Sequence, residues 1–271
     1  MDKRLTVLVV SCDKYKDIVE QYLYYLRLNW SDCQFPIAVA MEESDIDFEN
    51  VRVIKCGKGV QWTKEVLIAL DQIDSERVLL TVDDLFISQK VDNIAILYAL
   101  DFMIKNDIGY YRIPKFQHRY SKKDLYPGEE NIARIRKDKV YSVTIGSAMW
   151  KTSELKKFLG DGTKTAWELE EFFTKSAVNA SSGYFDSYVT DTRPLLHCAH
   201  MVTAGKWIPS GLKDMKKQGY QIDTSTRETL SKKETVRMSA YAVATAIVPK
   251  KLRRPIKMFF SKFGFKFATK Y

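Results

Sequence analysis

Residues 76–90, ERVLLTVDDLFISQK, combine an apolar, β-branched run with two adjacent aspartates. The run at 77–82 has the composition of a buried strand, and the chain becomes apolar again directly after Asp83 and Asp84. Two like charges at the end of a buried element repel each other and lose hydration, so we expect a positive group beside them. An exposed turn or a helix cap is the alternative interpretation of such a pair.

Strand-like and helix-like patterns alternate on both sides of this stretch. The sequence predicts strands at 5–12, 35–42, 51–56, 77–82 and 108–113, and helices at 16–30, 63–73 and 91–105. Beyond residue 131 it predicts strands near 132–137, 140–145, 184–189 and 194–203, and helices near 152–159, 166–178, 207–218 and 232–248. The alternation predicts an α/β fold with a mostly parallel sheet flanked by helices, as in Rossmann-like proteins. Ligands of such sheets bind beyond the carboxyl ends of the strands, where the aspartates lie.

Composition indicates a globular chain of 271 residues, with 45% hydrophobic and 28% charged residues. No segment reaches the ~20 apolar residues that cross a bilayer, and the apolar run at 5–10 is too short for a signal peptide. The four cysteines are far apart in the sequence, which favours free thiols in a reducing cytoplasm. We expect one domain at 1–248 and a separate tail at 249–271.

Net charge is concentrated in that tail. Of the +9 formal charge, the tail supplies eight Lys and Arg residues and no acidic ones, so the body of the chain is nearly neutral. Nucleic-acid binding needs cations spread along a footprint, so we expect no nucleic acid as a partner.

The aspartate pair suits a hard divalent cation, Mn²⁺ or Mg²⁺, which takes few protein oxygens and completes its shell with water and phosphate oxygens. Asp84, assisted by Asp83, would then hold the metal on a diphosphate. Two histidines at 197 and 200 are too few to indicate zinc. His200 is the preferred additional ligand of the metal or diphosphate, and a structural histidine is the alternative.

Four further segments accompany the aspartates in a recurring order: SCDKY (11–15), QWTKEVLIAL (61–70), VTIGSAMWKTSELKKFL (143–159) and TAWELEEFF (165–173). The segment AGKWIPSGLKDMKKQGYQID (204–223) also fits. With the Asp-Asp strand, this set resembles bacterial sugar transferases of capsule and lipopolysaccharide O-antigen assembly, which have the GT-A-type glycosyltransferase fold. The resemblance covers roughly residues 5–228, and Leu169 departs from it, because an aromatic residue is more usual there.

The resemblance implies a role for each matching residue. Ser11 and Asp13 would bind the nucleoside of a nucleotide-sugar donor, a UDP-sugar being favoured. Trp62 and Lys64 would line the nucleotide pocket, although a core aromatic and a solvated lysine are the alternatives. Gly146, Ser147 and Trp167 would shape the acceptor side, and a simple glycine turn is the alternative at Gly146.

Catalysis of sugar transfer also needs a base for the acceptor hydroxyl. Glu168 and Glu170 are two residues apart on a predicted helix, about 200° around its axis, so only one can face the site. Partial burial beside Trp167 would raise the pKa of that carboxylate and strengthen it as a base. Glu170 is preferred, with Glu168 in reserve; the alternative for both is an ordinary surface carboxylate.

The basic tail predicts an amphipathic helix at 255–267 that lies on an anionic membrane surface. A helix docked on the protein itself, or a disordered end, is the alternative. The expected membrane contacts are Lys250, Lys251, Arg253, Arg254, Lys257, Phe259, Phe260, Phe263 and Phe267.

These features lead to one main hypothesis: a metal-assisted, inverting glycosyltransferase in the bacterial cytoplasm, peripherally attached to the inner face of the cell membrane. Its acceptor would be a lipid-linked sugar or a polysaccharide. A catalytically silent assembly factor on the same fold is an alternative, and a nucleic-acid-binding protein is a weaker one.

Overall fold

The computed structural model describes residues 1–139 and 142–237, except for the side chains of residues 178 and 179. The strands in this part of the chain are β1 (Thr6–Val10), β2 (Ile37–Met41), β3 (Val51–Lys55), β4 (Arg77–Val82), β5 (Leu85–Ile87), β6 (Tyr110–Arg112), β7 (Ile132–Arg136), β8 (Ala148–Lys151), β9 (Tyr184–Asp191), β10 (Cys198–His200), β11 (Val202–Thr203) and β12 (Lys206–Trp207). The helices are α1 (Lys16–Asn29), α2 (Trp62–Asp71), α3 (Asn93–Lys105), α4 (Thr152–Leu159), α5 (Ala166–Asn179) and α6 (Pro209–Lys217), with a short 3₁₀ turn at Asp13–Tyr15 and a helical stretch at 232–237.

The central sheet of the described residues has eight strands in the order β3-β2-β1-β4-β8-β6-β9-β7. Strands β3, β2, β1 and β4 are parallel, β8 pairs antiparallel with both β4 and β6, and β7 pairs antiparallel with β9. Six of these eight strands therefore run in one direction. The predicted α/β class with a mostly parallel sheet is confirmed.

Helices cover both faces of the sheet, so alternate residues of the central strands belong to two separate cores. On β1, Val7 and Val9 join the core that α1, α3 and α6 cover, whereas Leu8 and Val10 join the core under α2, α4 and α5. All five residues of β1 are buried. This two-sided burial explains why the strand sequence is continuously apolar rather than alternating.

One predicted strand is wrong. Residues 142–145 of the strand predicted at 140–145 lie in a loop, and the strand begins at Ala148 instead. A hydrogen bond ties this loop to β6: the Thr144 N–H donates to the Tyr110 hydroxyl at 3.3 Å. The strand predicted at 194–203 consists of two short pieces, β10 and β11, separated by Met201.

Within the described residues, no helix combines the length and apolarity that crossing a bilayer requires. All four cysteines are free. The predicted tail, including every expected membrane contact between Lys250 and Phe267, lies outside the described residues.

Candidate functional site at the carboxyl edge of the sheet

The carboxyl ends of three neighbouring parallel strands and the first turn of α2 bring acidic residues together. Asp13 follows β1, Glu42 follows β2 and Asp83 follows β4, while the first turn of α2 carries Glu65 above the same edge. The carboxyl edge of an open α/β sheet is where its ligands bind.

Asp83 is the buried member of the aspartate pair, with 5% of its surface exposed. Its Oδ2 accepts a hydrogen bond of 2.5 Å from the Ser11 hydroxyl at the end of β1. The pKa of Asp83 is raised to about 7, mainly by burial. The hydrogen bond from Ser11 and the charge of Arg227 oppose this rise, and the charge of Asp84 contributes to it. Ser11 and Asp83, both predicted as donor-site residues, are therefore in contact.

Asp84 is half-exposed and faces a histidine. The turn at Asp83 and Asp84 leads into β5, which pairs antiparallel with β10, so His200 lies opposite Leu85. His200 Nε2 is 3.2 Å from Asp84 Oδ2, and the Met201 backbone N–H donates to the Asp84 carbonyl oxygen at 2.8 Å. The pair does not cap a helix, because Asp92 caps α3 by accepting from the Ala95 N–H.

Helix α6 fixes the position of β10 through a glycine. A Cβ atom added to Gly211 would lie 2.2 Å from the carbonyl oxygen of His200. No side chain can occupy that space without displacing β10 or α6. The close approach therefore sets where the His200 ring meets Asp84.

Asp13 organises the loop after β2. Its carboxylate accepts hydrogen bonds from the backbone N–H groups of Glu43 and Ser44 at 3.0–3.2 Å, and its own N–H donates to Glu42 Oε2 at 3.3 Å. Desolvation opposes ionisation, but these N–H donors lower the pKa of Asp13 overall. Asp13 thus lies at the predicted edge of the sheet with its carboxylate engaged by backbone.

Arg227 joins the start of α1 to a hairpin from the far end of the sequence. Its guanidinium makes a two-pronged ion pair with Asp17 at 2.6 and 2.8 Å and lies 4.7 Å from the centre of the Tyr15 ring. It also donates to the carbonyl oxygen of Gly205, at 3.4 Å. The hairpin β11–β12 turns at Ala204 and Gly205, whose φ angles of 49° and 80° suit a type I′ turn.

Trp62 and Lys64 occupy the first turn of α2. Trp62 is half-buried and packs against the core under α2, which matches the alternative of a core aromatic as well as a pocket wall. Lys64 is exposed, and its stem contacts the turn at Gly162, where an added Cβ would lie 3.1 Å from Lys64 Cδ. Both residues stay predictions as nucleotide contacts.

Gly146 and Ser147 lie at the same edge of the sheet as the aspartates, because β8 is antiparallel to β4. The last pair of the register, Leu80 with Ala148, sets the start of β8 beside the carboxyl-terminal part of β4. Ser147 also lies against the thiol of Cys198, which leads into His200. Among the described residues, a Cβ added to Gly146 would have only Thr144 Oγ1 within 4 Å, at 3.7 Å, so these residues leave open space beside this backbone.

The two glutamates of α5 have different environments. Glu168 forms a capping box, because its carboxylate accepts from the Thr165 N–H and hydroxyl at 2.9 Å, and these bonds lower its pKa. Glu170 is half-buried; burial raises its pKa, while a hydrogen bond of 3.4 Å from the Ile145 N–H opposes the rise. Trp167 is 78% exposed, so it does not bury Glu170. Helix capping engages Glu168, which leaves Glu170 facing the loop that precedes β8.

Glu65 is a site residue that the sequence interpretation missed. It is 6% exposed, and burial followed by the charges of Glu42, Asp83 and Asp13 raises its pKa to about 8. The available signal was its helical spacing, because Glu65, Val66, Ala69 and Leu70 share the buried face of α2. Arg227 was also missed, and nothing in its sequence context distinguishes it from a surface arginine.

A metal ion at this edge would have few protein ligands. Among residues 1–139 and 142–237, no three His, Cys, Asp or Glu side chains are arranged to hold a metal ion. Asp84 and His200 offer one oxygen and one nitrogen side by side. This donor set fits a cation that takes its other ligands from water and a bound diphosphate.

Two of the cavities formed by the described residues lie elsewhere on the molecule. One of about 180 Å³ is lined by Phe173, Ala177 and Phe185, between α5 and β9, and one of about 760 Å³ lies against α1 around Tyr24, Tyr25 and Tyr220. Neither includes the aspartate pair.

Comparisons with known proteins give only distant similarity. No protein-family model matches the sequence, and no curated protein matches it. Among solved structures, the chain is similar to S. aureus TarS at 16% identity and a TM-score of 0.41, over 69% of this chain and 35% of that chain. It is similar to TarS 1-349 in complex with UDP-GlcNAc at 15% identity and a TM-score of 0.38, over 69% and 58% of the two chains. It is also similar to a cytidylyltransferase from Leptospira borgpetersenii at 13% identity and a TM-score of 0.40, over 66% and 72%. The chain thus spans about a third to three fifths of the TarS chains, and similarities of this size assign no family.

Proposed function

We propose that this protein is a glycosyltransferase that moves a sugar from a nucleoside-diphosphate donor, a UDP-sugar being favoured, to a lipid-linked or polysaccharide acceptor of the bacterial cell surface. The observation that carries the proposal is the meeting of two strand ends. Asp83, Asp84 and His200 lie at the end of β4, and Glu170 lies against the loop that leads into β8, the next strand of the sheet. In this proposal the group for the donor's phosphates lies at the end of β4, and the base for the acceptor lies beside the loop before β8, the strand that pairs with β4.

On the donor side, Asp84 and His200 would hold the diphosphate through Mn²⁺ or Mg²⁺. The cation would supply charge compensation for the departing nucleoside diphosphate. Asp83 takes a structural part in this arrangement, because its hydrogen bond to Ser11 ties the end of β4 to the end of β1. Asp13, which orders the loop after β2, and Trp62 and Lys64 on α2 would border the nucleoside.

On the acceptor side, Glu170 would take the proton of the attacking hydroxyl. Its raised pKa makes it a stronger base than a solvated glutamate. The acceptor oxygen would form a bond to the anomeric carbon as the bond from that carbon to the phosphate oxygen breaks, and the electron pair leaves with the nucleoside diphosphate. A single displacement of this kind inverts the anomeric centre. Gly146, which borders open space, would let the sugar approach the backbone.

The proposal extends to the membrane through the sequence of the tail. Its eight basic residues, at about 1 kcal/mol each near an anionic surface, would hold the enzyme at the inner leaflet, where lipid-linked acceptors are found.

A thermal-shift screen of the full chain tests the donor assignment. UDP, GDP, ADP and CDP are added with and without Mn²⁺, since a ligand raises the melting temperature according to RT ln(1 + [L]/Kd). We expect the largest shift with UDP and Mn²⁺ together, and a smaller one with either alone. A melting temperature unchanged by every nucleotide, in the presence and absence of metal, would contradict the proposed function.

A further inference from the structure

Glu65 is an acidic side chain buried without the partner that burial requires. It is only 6% exposed, and its Oε1 has no hydrogen-bond partner within residues 1–139 and 142–237. An unsatisfied buried acceptor costs roughly 1–3 kcal/mol, and more if it is charged. Each such atom in a native structure needs an explanation, and a bound group that supplies the missing donor is one.

The neighbours of Glu65 locate that ligand at the carboxyl edge of the sheet. After burial, the causes that raise the pKa of Glu65 are the charges of Glu42, Asp83 and Asp13, which follow β2, β4 and β1. The Cys56 thiol, directly after β3, is also close enough for Glu65 to raise its pKa, although burial is the larger cause. Glu65 therefore lies among residues that follow the ends of four adjacent strands.

The acidic residues around Glu65 determine which part of a nucleotide-sugar donor can bind there. Because Glu65 lies among the carboxyl groups of Glu42, Asp83 and Asp13, a ligand group without negative charge is favoured there over phosphate oxygens. A nucleoside has neutral hydrogen-bond donors, namely the ribose hydroxyls and the N–H groups of the base. Both are attracted by an unsatisfied carboxyl oxygen, and neither brings a negative charge to it.

We propose that Glu65 determines nucleoside specificity at the donor site, where its Oε1 accepts a hydrogen bond from a ribose hydroxyl or a base N–H of the nucleoside diphosphate. The assignment depends on the proposed function and adds a residue and a ligand group to it.

Isothermal titration of the full chain with UDP in the presence of Mn²⁺ tests the role. Two variants remove the acceptor: Glu65→Leu, which fills the space with apolar atoms, and Glu65→Ala, which is used if the leucine does not fit. The matched control is Asp71→Ala at the exposed end of the same helix, where Asp71 pairs only with Lys156 at 2.6 Å in the contacts described. Inorganic pyrophosphate is titrated in parallel, because it contains the phosphates without the nucleoside.

We expect both Glu65 variants to weaken UDP binding at least about tenfold and to leave pyrophosphate binding and the Asp71→Ala control unchanged. 2′-Deoxy-UDP and 3-methyl-UDP identify the donor group. The analogue that lacks the hydrogen-bond donor should bind the wild-type protein with the same weak affinity that UDP has for Glu65→Leu. Its affinity for Glu65→Leu should equal its affinity for the wild type.

Three outcomes would overturn the assignment. Equal UDP affinity in wild type and in a folded Glu65 variant removes the contact while the proposed function stands. An equal loss for UDP and pyrophosphate makes Glu65 a support of the whole site rather than a reader of the nucleoside. A folded wild type that binds no nucleoside diphosphate removes the proposed function and this assignment together.

Discussion

His200 Nε2 lies 3.2 Å from Asp84 Oδ2 although 116 positions separate the two residues in the sequence. The contact exists because β5, directly after Asp84, pairs with β10, which ends at His200. The positive or polar partner that an aspartate pair requires thus comes from the last third of the chain. Its position depends on backbone pairing and on the close packing of α6, so it is defined before any ligand binds.

Asp84→Asn should separate metal-dependent from metal-independent binding. We expect UDP affinity in the presence of Mn²⁺ to fall at least about tenfold, because the amide loses the charge that holds the cation. Without Mn²⁺, titration should give the same weak affinity for variant and wild type. Asp101→Asn, which alters an exposed aspartate paired with Arg4, is the control. An unchanged Mn²⁺ dependence in Asp84→Asn would exclude Asp84 as a metal ligand.

Glu170→Gln and Glu168→Gln form a matched pair on one helix. Glu170→Gln should reduce the rate of sugar transfer by about 10²-fold or more and leave UDP affinity unchanged, because general-base catalysis contributes 10²–10⁴-fold. Glu168→Gln should retain activity, since its carboxylate only caps α5. Transfer rates with saturating donor provide the measurement, and equal rates for Glu170→Gln and wild type would favour a catalytically silent protein.

Gly211→Ala should disturb the Asp84–His200 contact from a distance. The added methyl group would clash with the His200 carbonyl oxygen, so we expect a loss of about 1–3 kcal/mol of unfolding free energy. Because β10 must move, Mn²⁺-dependent UDP binding should weaken as well. Ser210→Ala, at the exposed preceding position, should change neither property in denaturant titrations or calorimetry. Wild-type stability in Gly211→Ala would show that α6 and β10 separate easily.

Glu65 should make stability depend on pH. Its folded-state pKa of about 8 lies above its ordinary value, so the folded protein holds the proton more tightly than the unfolded chain does. The unfolding free energy should therefore be highest below about pH 4.5 with respect to this group and fall as the pH rises towards 8. In the wild type, Glu65 should lower the unfolding free energy by on the order of a few kcal/mol as the pH rises, and Glu65→Gln should remove this contribution. The unfolding free energy of the variant should still fall with rising pH, but by less, because Asp83 has a pKa of about 7. Parallel urea titrations at pH 5 and pH 8.5 provide the measurement, and equal slopes against pH for the two proteins would contradict the burial of Glu65.

Charge reversal in the tail tests membrane attachment. The full chain carrying Lys250→Glu, Lys251→Glu, Arg253→Glu and Arg254→Glu should lose binding to vesicles that contain anionic lipid, because each basic residue contributes about 1 kcal/mol near such a surface. Sedimentation with neutral vesicles is the control, and neither protein should bind them strongly. Equal sedimentation of both proteins with anionic vesicles would contradict the proposed attachment.

The sequence predicted the first half of the fold closely, for a physical reason. Strands β1 to β4 are buried on both faces and are therefore continuous apolar runs, and the helices between them have clear apolar stripes. The short strands β5, β10, β11 and β12 have no such pattern, because two or three residues gain their structure only from a partner distant in sequence. The β-branched residues at 142–145 favoured a strand, but the sheet position beside β4 is taken by Ala148–Lys151.

Prediction of the site followed the same division. Asp83 was predicted from the strand-end pattern and Ser11 from the family resemblance, and the two side chains are in contact. Glu65 was not predicted, because a glutamate beside an exposed lysine resembles a solvated helix surface in sequence, and its burial arises from the packing of α2 over the sheet edge.

The reversed direction of β8 has a consequence for how specificity can diversify on this scaffold. Asp13, Glu42 and Asp83 follow the ends of β1, β2 and β4, whereas Gly146 and Ser147 precede β8, which is antiparallel to β4. Under the proposed function, the connection from β7 to β8 could be lengthened or changed to suit a new acceptor while the register of β1, β2 and β4 stays the same. Donor specificity and acceptor specificity could then evolve independently.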